Sequence, residues 1–140
     1  MISTNNMNKI AFYSTITVGV LLVGSFFPHA FKGIVALNDL ISREQLNEST
    51  ATGLKIGWIW GSITILILGV WCFFLAPAIR KGTLKAKAQI FLLGMGLSTF
   101  GFGTIIMLKE VNHIVLFGFE GLLLILPALF TKHEKNLTPN

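Results

Sequence analysis

Four apolar runs, at about 10–36, 54–77, 88–108 and 111–131, follow one another along this 140-residue chain. A helix rises about 1.5 Å per residue, so about 20 apolar residues cross a hydrocarbon layer of about 30 Å. None of the runs shows the strict alternation of a membrane β-barrel, and an open sheet edge cannot be satisfied in lipid. The expectation is an all-α fold: one membrane-embedded domain of four transmembrane helices. Hydrophobic residues make up 53% of the chain and charged residues 12%, too few to coat a water-soluble surface.

The first run is apolar from Ile10 to Phe27 and continues to Ala36 through Pro28, His29 and Lys32. It is longer than a signal-peptide core and lacks a small-x-small cleavage site, which predicts a retained span. Neither Met1-Ile2 nor Pro139-Asn140 matches a lipidation signal. The second run is Ile-, Leu-, Trp- and Gly-rich and is expected to close at Pro77. The formal charge of +5 does not point to nucleic acid, because the basic residues are separated by long uncharged runs rather than interleaved with aromatics. The lone Cys72 lies inside an apolar run, reads as packing, and has no partner for an internal disulfide.

Orientation follows from Lys and Arg, which cytoplasmic loops retain. With four spans, Lys9, Arg80, Lys81, Lys85, Lys87, Lys132 and Lys135 share one side, opposed only by Glu134. The other side balances Lys32, Arg43, Lys55 and Lys109 with Asp39, Glu44, Glu48 and Glu110. Both termini are therefore expected in the cytoplasm. Beyond the first span, Ala30, Ile34, Leu37 and Ile41 recur at helical spacing away from Lys32, Asp39 and Arg43. Two readings fit: a bend at Pro28 into an interfacial helix, or one long tilted helix. Ser49, Thr50 or Thr52 is expected to cap the second span.

Helices in lipid associate through small residues that let backbones approach. Gly57 and Gly61 form a G-x-x-x-G pair, with Gly69 two turns on. On the third span Gly94, Ser98 and Gly101 form one small-residue stripe, and Gly96 and Gly103 a second about 200° away. That span is expected between two neighbours. Trp58 and Trp60 read as interfacial belt residues, with Trp71 deeper. Lys55 and Lys109 are placed to snorkel, and Arg80 to Lys87 to meet anionic lipid or a cytoplasmic partner.

Glu120 is the strongest chemical signal, near the middle of the fourth run. An ionised acid at that depth costs about 2.5 to 3.5 kcal/mol, so the carboxyl must be protonated, paired or beside a hydrated cavity. His113 precedes it by seven residues, on nearly the same face if the helix includes both. His29 completes a candidate polar pocket in the outer half, with Lys32 and Asn112 near its rim. Such a trio suits proton relay or a small ligand. Two imidazoles and a carboxylate also suit a metal, and His29 with His113 a haem, but no metal or cofactor is assigned because close ligand spacing is missing. The plainer alternative is a protonated Glu120 serving as helix glue. Asn47-Glu48-Ser49 and Asn136-Leu137-Thr138 match the glycosylation pattern.

Phe27-Pro28-His29-Ala30-Phe31-Lys32-Gly33 and Gly57-Trp58-Ile59-Trp60-Gly61-Ser62 resemble segments of small four-helix bacterial membrane proteins. The resemblance covers the first two spans, implies a bacterial inner-membrane location and carries over no catalytic residue. In size the chain also looks like DoxX-type proteins and small multidrug transporters, although the latter place their essential acid in span one. The leading functional expectation is a non-enzymatic accessory or self-associating bundle, partnered by the bilayer and by a second copy or another membrane protein. A proton-coupled carrier using Glu120 is the first alternative, and a redox or lipid-modifying protein with a bound cofactor the second.

Overall fold

A computed structural model describes residues 4–130, with side chains from Asn6 onward, and among the described residues every regular element is helical. Helix α1 spans Thr4–Phe27, a π-helical turn spans Pro28–Lys32, and α2 spans Gly33–Arg43. Helices α3 (Glu48–Arg80), α4 (Leu84–Leu108) and α5 (Val115–Phe130) follow. Three helical stretches are long and apolar enough to cross a membrane: Asn6–Arg43, Glu48–Arg80 and Leu84–Leu108.

The fourth run is shorter than its sequence suggests. Val111 to Ile114 are not helical, because Asn112 turns the chain there: its side chain accepts from the Ile114 N–H at 2.9 Å and its carbonyl from the Val115 N–H at 3.1 Å. Helix α5 has 16 residues, about 24 Å of rise. Lys132, Glu134, Lys135 and the pattern at Asn136 lie outside the described residues.

Pro28 does not break the first helix. Its missing N–H removes an α-type bond, and the backbone widens by one residue instead, the Gly33 N–H reaching the Pro28 carbonyl before α-helix resumes. Pro77 likewise lies inside α3, which runs on to Arg80 rather than closing at the proline. The cap of α3 is Asn47, whose Oδ1 accepts from the Thr50 N–H at 2.9 Å, rather than any of the three hydroxyl residues. At the other end Gly82, at φ 70°, lets α3 stop sharply: its N–H meets the Ile79 carbonyl and that of Thr83 the Ala78 carbonyl. Three residues then suffice to start α4, four residues earlier than the apolar run and with Lys85 and Lys87 on its first turn.

The chain divides into two compact units, one of Met1–Val18 with Cys72–Asn140 and one of Gly19–Trp71. In the first, α4 and α5 pack antiparallel. Gly101 meets Gly118 backbone to backbone, and Gly94 meets the Gly121 carbonyl, so that a Cβ on Gly94 would lie 2.8 Å from that oxygen. Ser98 of the same stripe donates to the Gly118 carbonyl at 3.3 Å. Phe102 covers Gly118 and stacks edge-on with Phe119. Ala11, Thr15 and Val18 of α1, with Cys72, Ala76 and Ile79 of α3, are buried at helical spacing, and Arg80 lies over the Phe12 ring at 5.4 Å.

In the second unit, α1 and α3 touch where Gly69 fits against Val23 and the Gly19 carbonyl. The remaining stripes are open: Gly57, Gly96 and Gly103 have no neighbour within 4 Å of a built Cβ, and Gly61 has only the His29 ring, at 3.7 Å. Among the described residues Gly57 thus meets no other helix and Gly61 only the His29 ring, and of the two glycine faces of α4 it is the Gly94–Gly101 face that meets α5. Large apolar side chains are exposed on every helix, among them Phe74 and Met107.

Candidate functional site

Glu120 is set by the packing around it. Gly118 and Gly121 on the same helix abut α4, which fixes the rotation of α5 and leaves Glu120 on a neighbouring face, 7% exposed. Its Oε2 is buried with no hydrogen-bond partner among the described residues. The fully buried Cys72 lies within electrostatic reach of this carboxyl. A buried, unpaired carboxyl oxygen in an apolar bundle is a costly arrangement, because its lost hydration is not replaced. Asn8, near the start of α1, has a second such atom, Oδ1.

His113 is not on the Glu120 helix. It is exposed, in the turn before α5, where its carbonyl accepts from the Leu116 N–H, so the seven-residue face argument does not hold for it. Asn112 is used as the turn-forming residue described above.

His29 belongs to the second unit and is built into it through α3. The widened turn after Pro28 brings it against Trp58, whose ring stacks on the imidazole at 4.4 Å between centroids and 8° between planes. The same indole donates from Nε1 to the His29 carbonyl at 2.8 Å. His29 Nδ1 lies 2.8 Å from Ser62 Oγ, and Ser62 Oγ is 2.9 Å from the Trp58 carbonyl. Ser62 has one hydroxyl proton, and giving it to that carbonyl assigns the Nδ1 proton to His29 as donor. Gly33 makes room for the arrangement, since a side chain there would overlap the Trp58 indole.

The His29–Trp58–Ser62 cluster borders a shallow apolar groove of about 200 Å³, lined by Phe26, Ala30 and Ile34 on one side and by Trp58, Ile59, Ser62 and Ile63 on the other. Sequence reasoning found His29 but not its partners. Trp58 reads from sequence as a belt residue and Ser62 only as the end of the Gly57–Ser62 segment, and their one signal is spacing, i and i+4 on one helix. Lys32 lies exposed in the widened turn. Among the described residues no group of three or more His, Cys, Asp or Glu side chains is placed to hold a metal ion. Comparison with protein-family models, with curated proteins and with solved structures gives no match.

Proposed function

We propose that this chain is a four-span bacterial inner-membrane protein, with both termini and the Arg80–Lys87 turn cytoplasmic, acting as a non-enzymatic accessory or self-associating helix bundle. Membrane embedding is supported by three helices of spanning length and by the exposed apolar side chains on all of them, since a water-soluble monomer rarely exposes so much contiguous apolar surface. The short α5 is accommodated by local thinning of the bilayer around it. Asn6–Arg43 would rise about 57 Å, well beyond one hydrocarbon layer, so its far end with α2 extends past or along the outer surface.

The observation that carries the association reading is Gly96. It is exposed, about 200° around α4 from the Gly94 face that receives α5, and a Cβ there would meet no other helix within 4 Å among the described residues. A helix from another chain can approach there as closely as α5 does on the other side. Gly96→Leu is expected to shift the purified protein in detergent to a smaller assembly without lowering its melting temperature. An unchanged assembly size counts against the reading.

A second reading is favoured by the orphaned Oε2 of Glu120: a proton-coupled carrier of a small or lipophilic compound, with Glu120 as the proton site. Glu120→Gln would then abolish the pH dependence of uptake in liposomes. Uptake that keeps its pH dependence in that variant rules it out.

A further inference from the structure

The start of α4 and the end of α5 enclose a second shallow groove, also of about 200 Å³, lined by Leu84, Lys87, Ala88, Phe91, Ala128 and Leu129. Five of these are apolar. Leu84, Ala88 and Phe91 form one stripe of α4 extending about 10 Å along the helix axis. Lys87 is the one charged lining residue. It belongs to a segment, Arg80 to Lys87, that holds four cations and no acid. Arg80 is turned to the Phe12 ring, while Lys81 and Lys85 are exposed beside Lys87 in sequence. The first turn of α4 adds the same sign of potential, because its N-cap residue Thr83 makes no side-chain capping bond.

We infer that this groove is a binding site for an anionic glycerophospholipid of the cytoplasmic leaflet, one acyl chain lying along Leu84, Ala88 and Phe91 and the phosphate meeting Lys87. Charge selects the occupant. A zwitterionic phospholipid offers the same wall contact and phosphate, but its choline cation is repelled by the cations of Arg80 to Lys87, whereas free phosphate lacks the chains that cover the wall. An ammonium carries three donors, so Lys87 can serve a phosphate in addition to a protein partner. The inference rests on the membrane orientation proposed above, which places this end of α4 at the cytoplasmic headgroups.

The test is lipid binding to the purified full chain in a neutral detergent, followed by native mass spectrometry with dioleoylphosphatidylglycerol or dioleoylphosphatidylcholine. The anionic lipid is expected to bind about tenfold more tightly, and Lys87→Gln to reduce that preference about 5-fold, as the loss of one basic contact implies. Lys81→Gln is expected to change it by less than about twofold, because Lys81 does not line the groove. Ala88→Trp, at an exposed position, is expected to fill the groove and remove tight binding while the melting temperature is kept. Equal binding of the two lipids, equal losses from Lys81→Gln and Lys87→Gln, unchanged binding in Ala88→Trp, or displacement by inorganic phosphate would each overturn the inference. Failure of the membrane reading looks different: the chain would then be monodisperse without detergent, whatever its lipid preference.

Discussion

Trp58 holds His29 twice, through its ring and through the carbonyl that follows that ring along the chain. The indole stacks on the imidazole and its Nε1–H closes on the His29 backbone oxygen at 2.8 Å. Bonding to a main-chain atom inside the widened turn lets α3 fix the register in which the first helix passes Pro28.

Removing that donor is therefore informative. Trp58→Phe keeps an aromatic ring but loses the Nε1–H and the bulk of the indole beside Gly33, and is expected to cost about 2 to 4 kcal/mol of stability, a hydrogen bond plus the space left behind. Backbone hydrogen exchange over Pro28–Arg43 should speed up in the variant more than exchange over α4. Uniform acceleration across all helices would mean that the contact does not govern the turn.

Glycine substitutions should divide by face. Gly101→Ala places a Cβ against the Gly118 backbone and is expected to destabilise the protein by about 1 to 3 kcal/mol through forced separation of α4 and α5. Gly57→Ala meets nothing within 4 Å and should leave stability unchanged or slightly raised through helix propensity. Thermal unfolding in one detergent measures both. A loss at Gly57 equal to that at Gly101 would show that the open face is occupied by another helix.

Glu120→Met replaces the buried carboxyl by an apolar side chain of similar length. Because Oε2 has no partner, the substitution is expected to raise stability by about 1 to 3 kcal/mol, the penalty for an unsatisfied buried polar group. Stabilisation would mark Glu120 as a group kept at a cost to the fold, which favours the proton-site reading. A fall in melting temperature would mark it as helix glue.

Cys72 has no exposed surface and sits inside α3. A small maleimide is expected to leave it unmodified in the folded protein and to modify it fully in denaturant, since a thiol walled off from solvent is inert. Rapid labelling under native conditions would show that α3 opens locally there.

Much of the fold is legible because long uninterrupted apolar runs without alternation read as helices. The apolar runs locate the helices, whose ends lie up to seven residues beyond them, and Pro28 and Pro77 mislead only in suggesting a bend or an end: the helix widens at the first and runs through the second. The packing was half legible. Gly94–Ser98–Gly101 and Gly96–Gly103 have the same kind of spacing, and only the position of Gly118 and Gly121 on α5 decides which stripe is covered. Those two glycines flank Glu120 in Phe-Gly-Phe-Glu-Gly, two residues before it and one after. His113 was placed on the Glu120 helix because its apolar run begins before it, although Asn112 is a turn former and starts the helix later. The His29–Trp58–Ser62 cluster depends on a turn that widens by one residue and on the space left by Gly33, neither of which a helical wheel contains.

The central claim is that these helices cross a bilayer with the basic Arg80–Lys87 turn on the cytoplasmic face, and side-specific thiol labelling tests it most directly. In a Cys72→Ala background, Lys85→Cys and Ser42→Cys are probed in intact cells with a membrane-impermeant maleimide. The account predicts that Ser42→Cys is labelled from outside and Lys85→Cys only after permeabilisation. Labelling of Lys85→Cys in intact cells, or of both positions from the same side, would contradict it.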